Sequence, residues 1–145
     1  MVVKKKNISE AKTKFLRKIE AFSRRSKLTI LLDENIECLC AGLEDAGFKV
    51  ITIEKGWSDE KIKKIAEGTA ILTRNAIDFE NDAVVYDYDI ISIESIKFID
   101  KKPFRSNVTV RKIEKVIRES KFYNVRGNFK ITIQDNGSYD VEPLA

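Results

Sequence analysis

Apolar positions along this chain alternate between two rhythms, short continuous runs and stripes spaced three or four residues apart. The runs read as strands covered on both faces, and the stripes read as helices packed by one side. Leu28 to Leu32 forms the first run, Lys49 to Ile53 the second, Ala70 to Thr73 the third and Asp89 to Ile93 the fourth. Between the first two lies a predicted helix, Ile36 to Ala46, with Ile36, Leu39, Cys40 and Leu43 on its buried stripe and Gly47 beyond its end. Between the second and third, Ser58 caps a helix with Ile62, Ile65 and Ala66 inward, and Gly68 ends it. Strands alternating with helices at this spacing predict an α/β fold, a small Rossmann-like three-layer sandwich around a mostly parallel sheet.

The flanks follow their own patterns. Residues 9–24 carry the stripe Ile8, Ala11, Phe15, Ile19 and Phe22, which predicts an N-terminal helix capped by Asn7 or Ser9. Residues 76–87 are less regular, with a short helical or extended piece expected at Ala83 to Tyr86. Lys101 to Arg105 reads as a basic connector. A further helix is expected from Asn107 or Thr109 to Ser120, packed by Val110, Ile113, Val116 and Ile117. The tail predicts a hairpin. A three-residue loop, Asp135-Asn136-Gly137, aligns Ile133 with Tyr139 and Ile131 with Val141, whereas a two-residue turn would mix the faces. The expected organisation is a basic N-terminal helix (1–27), an α/β core (28–100) and a helix-plus-hairpin extension (101–145) packed on that core.

Composition narrows the function classes. The 145 residues are 43% hydrophobic and 34% charged, the balance of a chain that folds around a core. No apolar run reaches the ~20 residues that span a bilayer, and the basic N-terminus lacks the apolar stretch of a secretory signal. Cys38 and Cys40 point in different directions from one helix and suit neither a disulfide nor, without histidine, a zinc site. A cytoplasmic protein without membrane association is the expectation.

The net charge of +4 conceals a partition. Residues 1–27 hold ten Lys/Arg against two Asp/Glu, residues 28–100 hold seven against sixteen, and residues 101–145 hold ten against five. Basic flanks beside an acidic middle fit either a phosphate-backbone footprint next to carboxylates or charge balanced for solubility. The basic surface of the first helix has the same two readings, with a membrane surface as a third.

Acidic residues follow successive strands. Asp33 ends the first, Asp59 opens the helix after the second, and Asp78 follows the third. Carboxylates gathered at strand ends suit Mg²⁺ or Mn²⁺, which prefer oxygen ligands. Each acid also has a plain role: Asp33 as a cap, Asp59 as a first-turn acid, Asp78 as an Asx-turn residue. Trp57 either stacks on a base or packs against the neighbouring helix. The absence of histidine from the chain excludes a Ser-His-Asp triad within it.

The segments LLDEN (31–35), EDAGFKV (44–50), SDEKIKKIA (58–66) and ILTRNAIDF (71–79) together resemble the PIN-like superfamily, in particular its compact group. The resemblance covers roughly residues 28–95. It implies a metal-dependent endoribonuclease, including the toxins of toxin–antitoxin pairs. Carried across, Asp33, Asp59 and Asp78 are the metal-holding and catalytic acids with Mg²⁺ or Mn²⁺, and Asn75 joins the catalytic set. Asn75 or Thr73 orients water or phosphate, with Arg74 nearby as a charge clamp. RNA is the implied substrate, with DNA a second option; an antitoxin protein is the implied partner, and a homodimer paired through the tail hairpin's edge is a further option. The chain departs from the pattern at Asn75, where many relatives have Asp. It also has no counterpart of an additional glutamate, a place that Glu34 or Glu37 can fill. A PIN-like module that binds RNA or a protein without catalysis is the alternative.

Overall fold

The computed structural model describes residues 29–97, 103–120 and 128–144. The predicted N-terminal helix, Leu28, and Lys101 and Lys102 of the connector lie outside these residues.

Six strands form one sheet in the order β2-β1-β3-β4-β5-β6, where β1 is Thr29–Leu32, β2 Lys49–Thr52, β3 Ala70–Thr73, β4 Asp89–Ser92, β5 Phe129–Ile133 and β6 Tyr139–Pro143. All neighbours run parallel except the β5–β6 hairpin. Every residue of β1, β3 and β4 is buried, the polar Thr29, Thr73, Asp89 and Ser92 included, as in strands covered on both faces. The result is a Rossmann-like α/β sandwich.

Alternation along the strands sends side chains into two cores. Ile30, Leu32, Leu72, Ile91, Ile131 and Ile133 meet a layer made by a 3-10 helix at Glu34–Leu39, α1 at Cys40–Asp45 and α5 at Pro103–Ser120. Leu31, Ile71 and Ile90 meet the opposite layer, α2 at Asp59–Ala66, α3 at Ile77–Glu80 and α4 at Ala83–Tyr86. The stripe Val110, Ile113, Val116 and Ile117 packs α5 as its spacing predicts.

Two local readings need correction. The helix expected over Ile36 to Ala46 is broken: Asp33 caps a 3-10 turn, Ile36 leaves helical geometry (φ −129°, ψ 27°), and the α-helix proper begins at Cys40. The break keeps Ile36, Leu39 and Leu43 fully buried although the segment is not one regular helix. The helix expected from Asn107 or Thr109 begins at Pro103 instead. Proline suits the first turn of a helix, where its missing N–H leaves no bond unmade. The short piece expected at Ala83 to Tyr86 is helical, α4, closed by Asp87 in the left-handed region (φ 56°), and another single-turn helix, α3, precedes it.

The hairpin has the expected register, Ile133 opposite Tyr139 and Ile131 opposite Val141. Gly137 takes the positive φ of 90° that its loop demands. Its apolar partner is the main sheet. β5 lies parallel to β4, and Phe129 N donates to the buried Asp89 carboxylate at 2.9 Å.

Gly42 in α1 sits where a Cβ would lie 2.9 Å from Val110 Cγ2 on α5. Alanine normally strengthens a helix interior by about 1 kcal/mol over glycine. Here the stiff, buried Val110 cannot withdraw freely. Gly42→Ala is expected to destabilise the fold by about 1–3 kcal/mol. Adding Val110→Ala should recover part of the loss, a non-additivity that urea unfolding of the single and double variants will measure.

Candidate functional site

From β1 the chain steps outward to β2, then returns across β1 to β3, so the two crossovers diverge between β1 and β3. In open parallel sheets the carboxyl ends of the strands flanking this switch leave a crevice that neither connection fills. Asp33 follows β1 there, and Thr73-Arg74-Asn75 ends β3.

Hydrogen bonds join these ends. The Thr73 hydroxyl, fully buried, donates to Asp33 Oδ2 at 2.8 Å and accepts from Asn75 N at 2.9 Å. Asp33 Oδ1 accepts from Glu34 N at 2.8 Å, and Asp33 N donates to Leu72 O at 3.1 Å. Asn75 Nδ2 then donates to Asp78 Oδ2 at 2.5 Å. A chain of polar contacts thus runs from Asp33 through Thr73 and Asn75 to Asp78. Asp33 is half-buried, while Asn75, Asp78 and Arg74 are exposed.

Asp78 also forms part of the wall of a cavity of about 390 Å³ with Asp59, Ile62, Lys63, Ile71, Phe79, Asp82 and Tyr88. Asp59 reaches this wall from the first turn of α2, whose Ser58 cap accepts from Lys61 N at 3.2 Å. Asp59 and Asp78 are therefore brought to one cavity, and Asp33 connects to it through Thr73 and Asn75. Glu34 and Glu37 face elsewhere, into an open depression beside Thr52 and Glu54. Among the described residues, no group of three or more His, Cys, Asp or Glu is close enough to hold a metal ion. Trp57 is half-buried against the core beneath α2, with the Lys61 ammonium 4.5 Å from its ring centre.

No family model, curated protein or solved structure matches the chain. Also, no helix among the described residues is long and apolar enough to cross a membrane.

The sequence reading missed three polar residues of the cavity wall. Lys63 stands one helical turn after Asp59, the i,i+4 neighbour on that face, and its ammonium lies 3.0 Å from Asp82 Oδ2. Its hydrogen bond to Asp82 holds the Lys63 ammonium above its ordinary value. Asp82 falls four residues after Asp78, a relation hidden until α3 and α4 prove helical. Tyr88 closes the cavity floor, its hydroxyl donating to Phe79 O.

Burial pushes the Tyr88 phenol above its ordinary value of 10.0, and the nearby charge of Asp82 adds to the effect. A raised value in the folded state means that the unfolded chain releases this proton first. The contribution to stability is full below pH 10.0 and is lost progressively as pH rises above it. Urea midpoints are expected to fall between about pH 9 and about pH 11, and Tyr88→Phe should flatten that decline.

Proposed function

We propose that this chain is a PIN-like, Mg²⁺- or Mn²⁺-dependent endoribonuclease acting at the crevice between the carboxyl ends of β1 and β3. The observation that carries the reading is the polar chain Asp33–Thr73–Asn75–Asp78, which links the acid after β1 to the acid on α3 beyond β3. The resemblance of residues 28–95 to the PIN-like superfamily supports it, and the toxin of a toxin–antitoxin pair is the role that follows from that resemblance.

The donors suit a hydrated cation. Mg²⁺ commonly keeps several waters and takes one or two carboxylates, and Asp59 and Asp78 share one cavity wall. These two would hold the ion, with Asp33 linked to Asp78 through Thr73 and Asn75. When bound, such an ion supplies charge stabilisation and an activated water for phosphodiester hydrolysis. The chain's own groups do the positioning. Asn75 fixes the Asp78 carboxylate, Thr73 fixes Asp33, and Arg74, exposed at the end of β3, offers a positive charge to a phosphate.

The test is cleavage of labelled single-stranded and structured RNAs with Mn²⁺, Mg²⁺ or EDTA. Metal-dependent cutting that Asp78→Asn abolishes supports the reading. Intact RNA in every condition would sink it.

A second reading, a PIN-like module that binds RNA or a protein without catalysis, is favoured by one observation. Both Asp33 carboxylate oxygens already accept protein hydrogen bonds, in the manner of a helix cap. Under that reading Asp33→Asn leaves RNA affinity unchanged in a gel-shift titration.

A further inference from the structure

One wall of the cavity, carrying Asp78, Phe79 and Asp82, is built on α3 and α4, helices of a single turn each. Helices this short have little stability of their own, because ordering one turn returns few hydrogen bonds. Neither has a side chain capping its first turn. Apolar packing also holds them lightly: Ala83 is buried and Phe79 half-buried, but Ile77 is 71% and Val85 76% exposed. The place of Asp78 therefore depends on what else grips these turns.

Polar side chains of the C-terminal hairpin supply that grip. Ile131 and Ile133 point into the core beneath α1 and α5, so alternation along β5 turns Lys130 to the opposite face, toward α3. Its ammonium lies 2.5 Å from Glu80 Oε1 on α3 and 3.7 Å from Glu142 Oε1 on β6, and its side chain is only 16% exposed. The hydrogen bond to Glu80 is the main cause that holds the Lys130 ammonium above its ordinary value. Glu80 and Asp78 stand roughly 200° apart around one turn, so Lys130 holds the back of the turn whose front presents Asp78 to the cavity. The far end of the same wall is tied to β5 as well. Asn128 Nδ2 donates to Asp87 Oδ1 at 3.2 Å and to Tyr88 O at 3.1 Å. Asp87 is the left-handed residue that closes α4, a conformation that side chains other than glycine seldom adopt.

We propose that Lys130 is a positioning residue of the site: through Glu80 it fixes α3 and so sets where the Asp78 carboxylate stands. The inference rests on the nuclease reading, in which Asp78 holds the ion. It gives the C-terminal hairpin, which lies outside the segment resembling the PIN-like superfamily, a part in the site. The hairpin holds the acid-bearing turn in place without contributing a group to the reaction.

The Mn²⁺ concentration that half-saturates RNA cleavage by the full chain tests this. Lys130→Met is expected to raise it about tenfold, the scale of losing a group that orients a metal ligand. Glu80→Ala should raise it equally, and the double variant no further, since all three remove one contact. Ile133→Val loosens the same hairpin from the opposite core and should leave the requirement unchanged. Hydrogen exchange at the Phe79 amide, which donates to Ala76 O at 3.0 Å, should quicken in Lys130→Met while the Ile71 and Ile90 amides keep their protection. A wild-type Mn²⁺ requirement or unchanged Phe79 exchange in Lys130→Met would overturn the inference and leave the nuclease reading standing. So would a rise that Ile133→Val shares, or effects of Lys130→Met and Glu80→Ala that add. A wild type that cuts no RNA would sink the nuclease reading, and this inference with it.

Discussion

Asp33→Asn is expected, under the proposed nuclease reading, to reduce metal-dependent RNA cleavage by about 10² to 10³-fold, the scale of losing one preorganised electrostatic group at a reacting centre. The fold should survive. Asparagine caps helices as well as aspartate, so its oxygen keeps the bond from Glu34 N. Its amide then faces the Thr73 hydroxyl, which can accept it but whose own proton loses the acceptor it has in Asp33 Oδ2. The change in stability is therefore about 1–3 kcal/mol, beside the loss of a negative charge at the switch point. Cleavage rates and urea midpoints measured on the same preparations separate the two effects. Undiminished cleavage by Asp33→Asn would remove Asp33 from the site.

Leu72→Ala should have the largest effect on stability. Leu72 lies on β3, paired on both sides by β1 and β4, and its side chain is fully buried in the core beneath α1 and α5. Removing its outer carbons there leaves a cavity that rigid strands cannot close. The expected cost is about 2–5 kcal/mol. At roughly 4 °C per kcal/mol for a chain of this size, thermal denaturation should begin well below that of the wild type. Val141→Ala on the outer strand β6, where the side chain is 42% exposed, should stay within about 0.5 kcal/mol. Equal losses at the two positions would contradict the assignment of the core.

Both predictions draw on features legible in the sequence. Largely apolar runs at Thr29–Leu32 and Ala70–Thr73 mark strands buried on both faces, because only two covering layers can keep such a run from water. The stripe on α5 and the register of the hairpin follow equally from periodicity and loop length. The start of α5 at Pro103 was obscured by a basic stretch whose composition reads as a connector. The break at Ile36 is invisible to periodicity, since a 3-10 turn and an α-turn bury nearly the same positions.

The candidate site divides along the same line. Sequence alone determined which acids follow which strands, because strand ends are marked by where the apolar runs stop. Asp33, Asp59 and Asp78 were identified in that way. Only the tertiary structure decided their company. The order β2-β1-β3 brings Thr73 against Asp33 across forty residues of chain, and the two short helices after β3 turn Asp82 toward Lys63. Such pairings depend on which strands become neighbours and how irregular segments coil. Both are set by the packing of the whole chain rather than by any local run of residues.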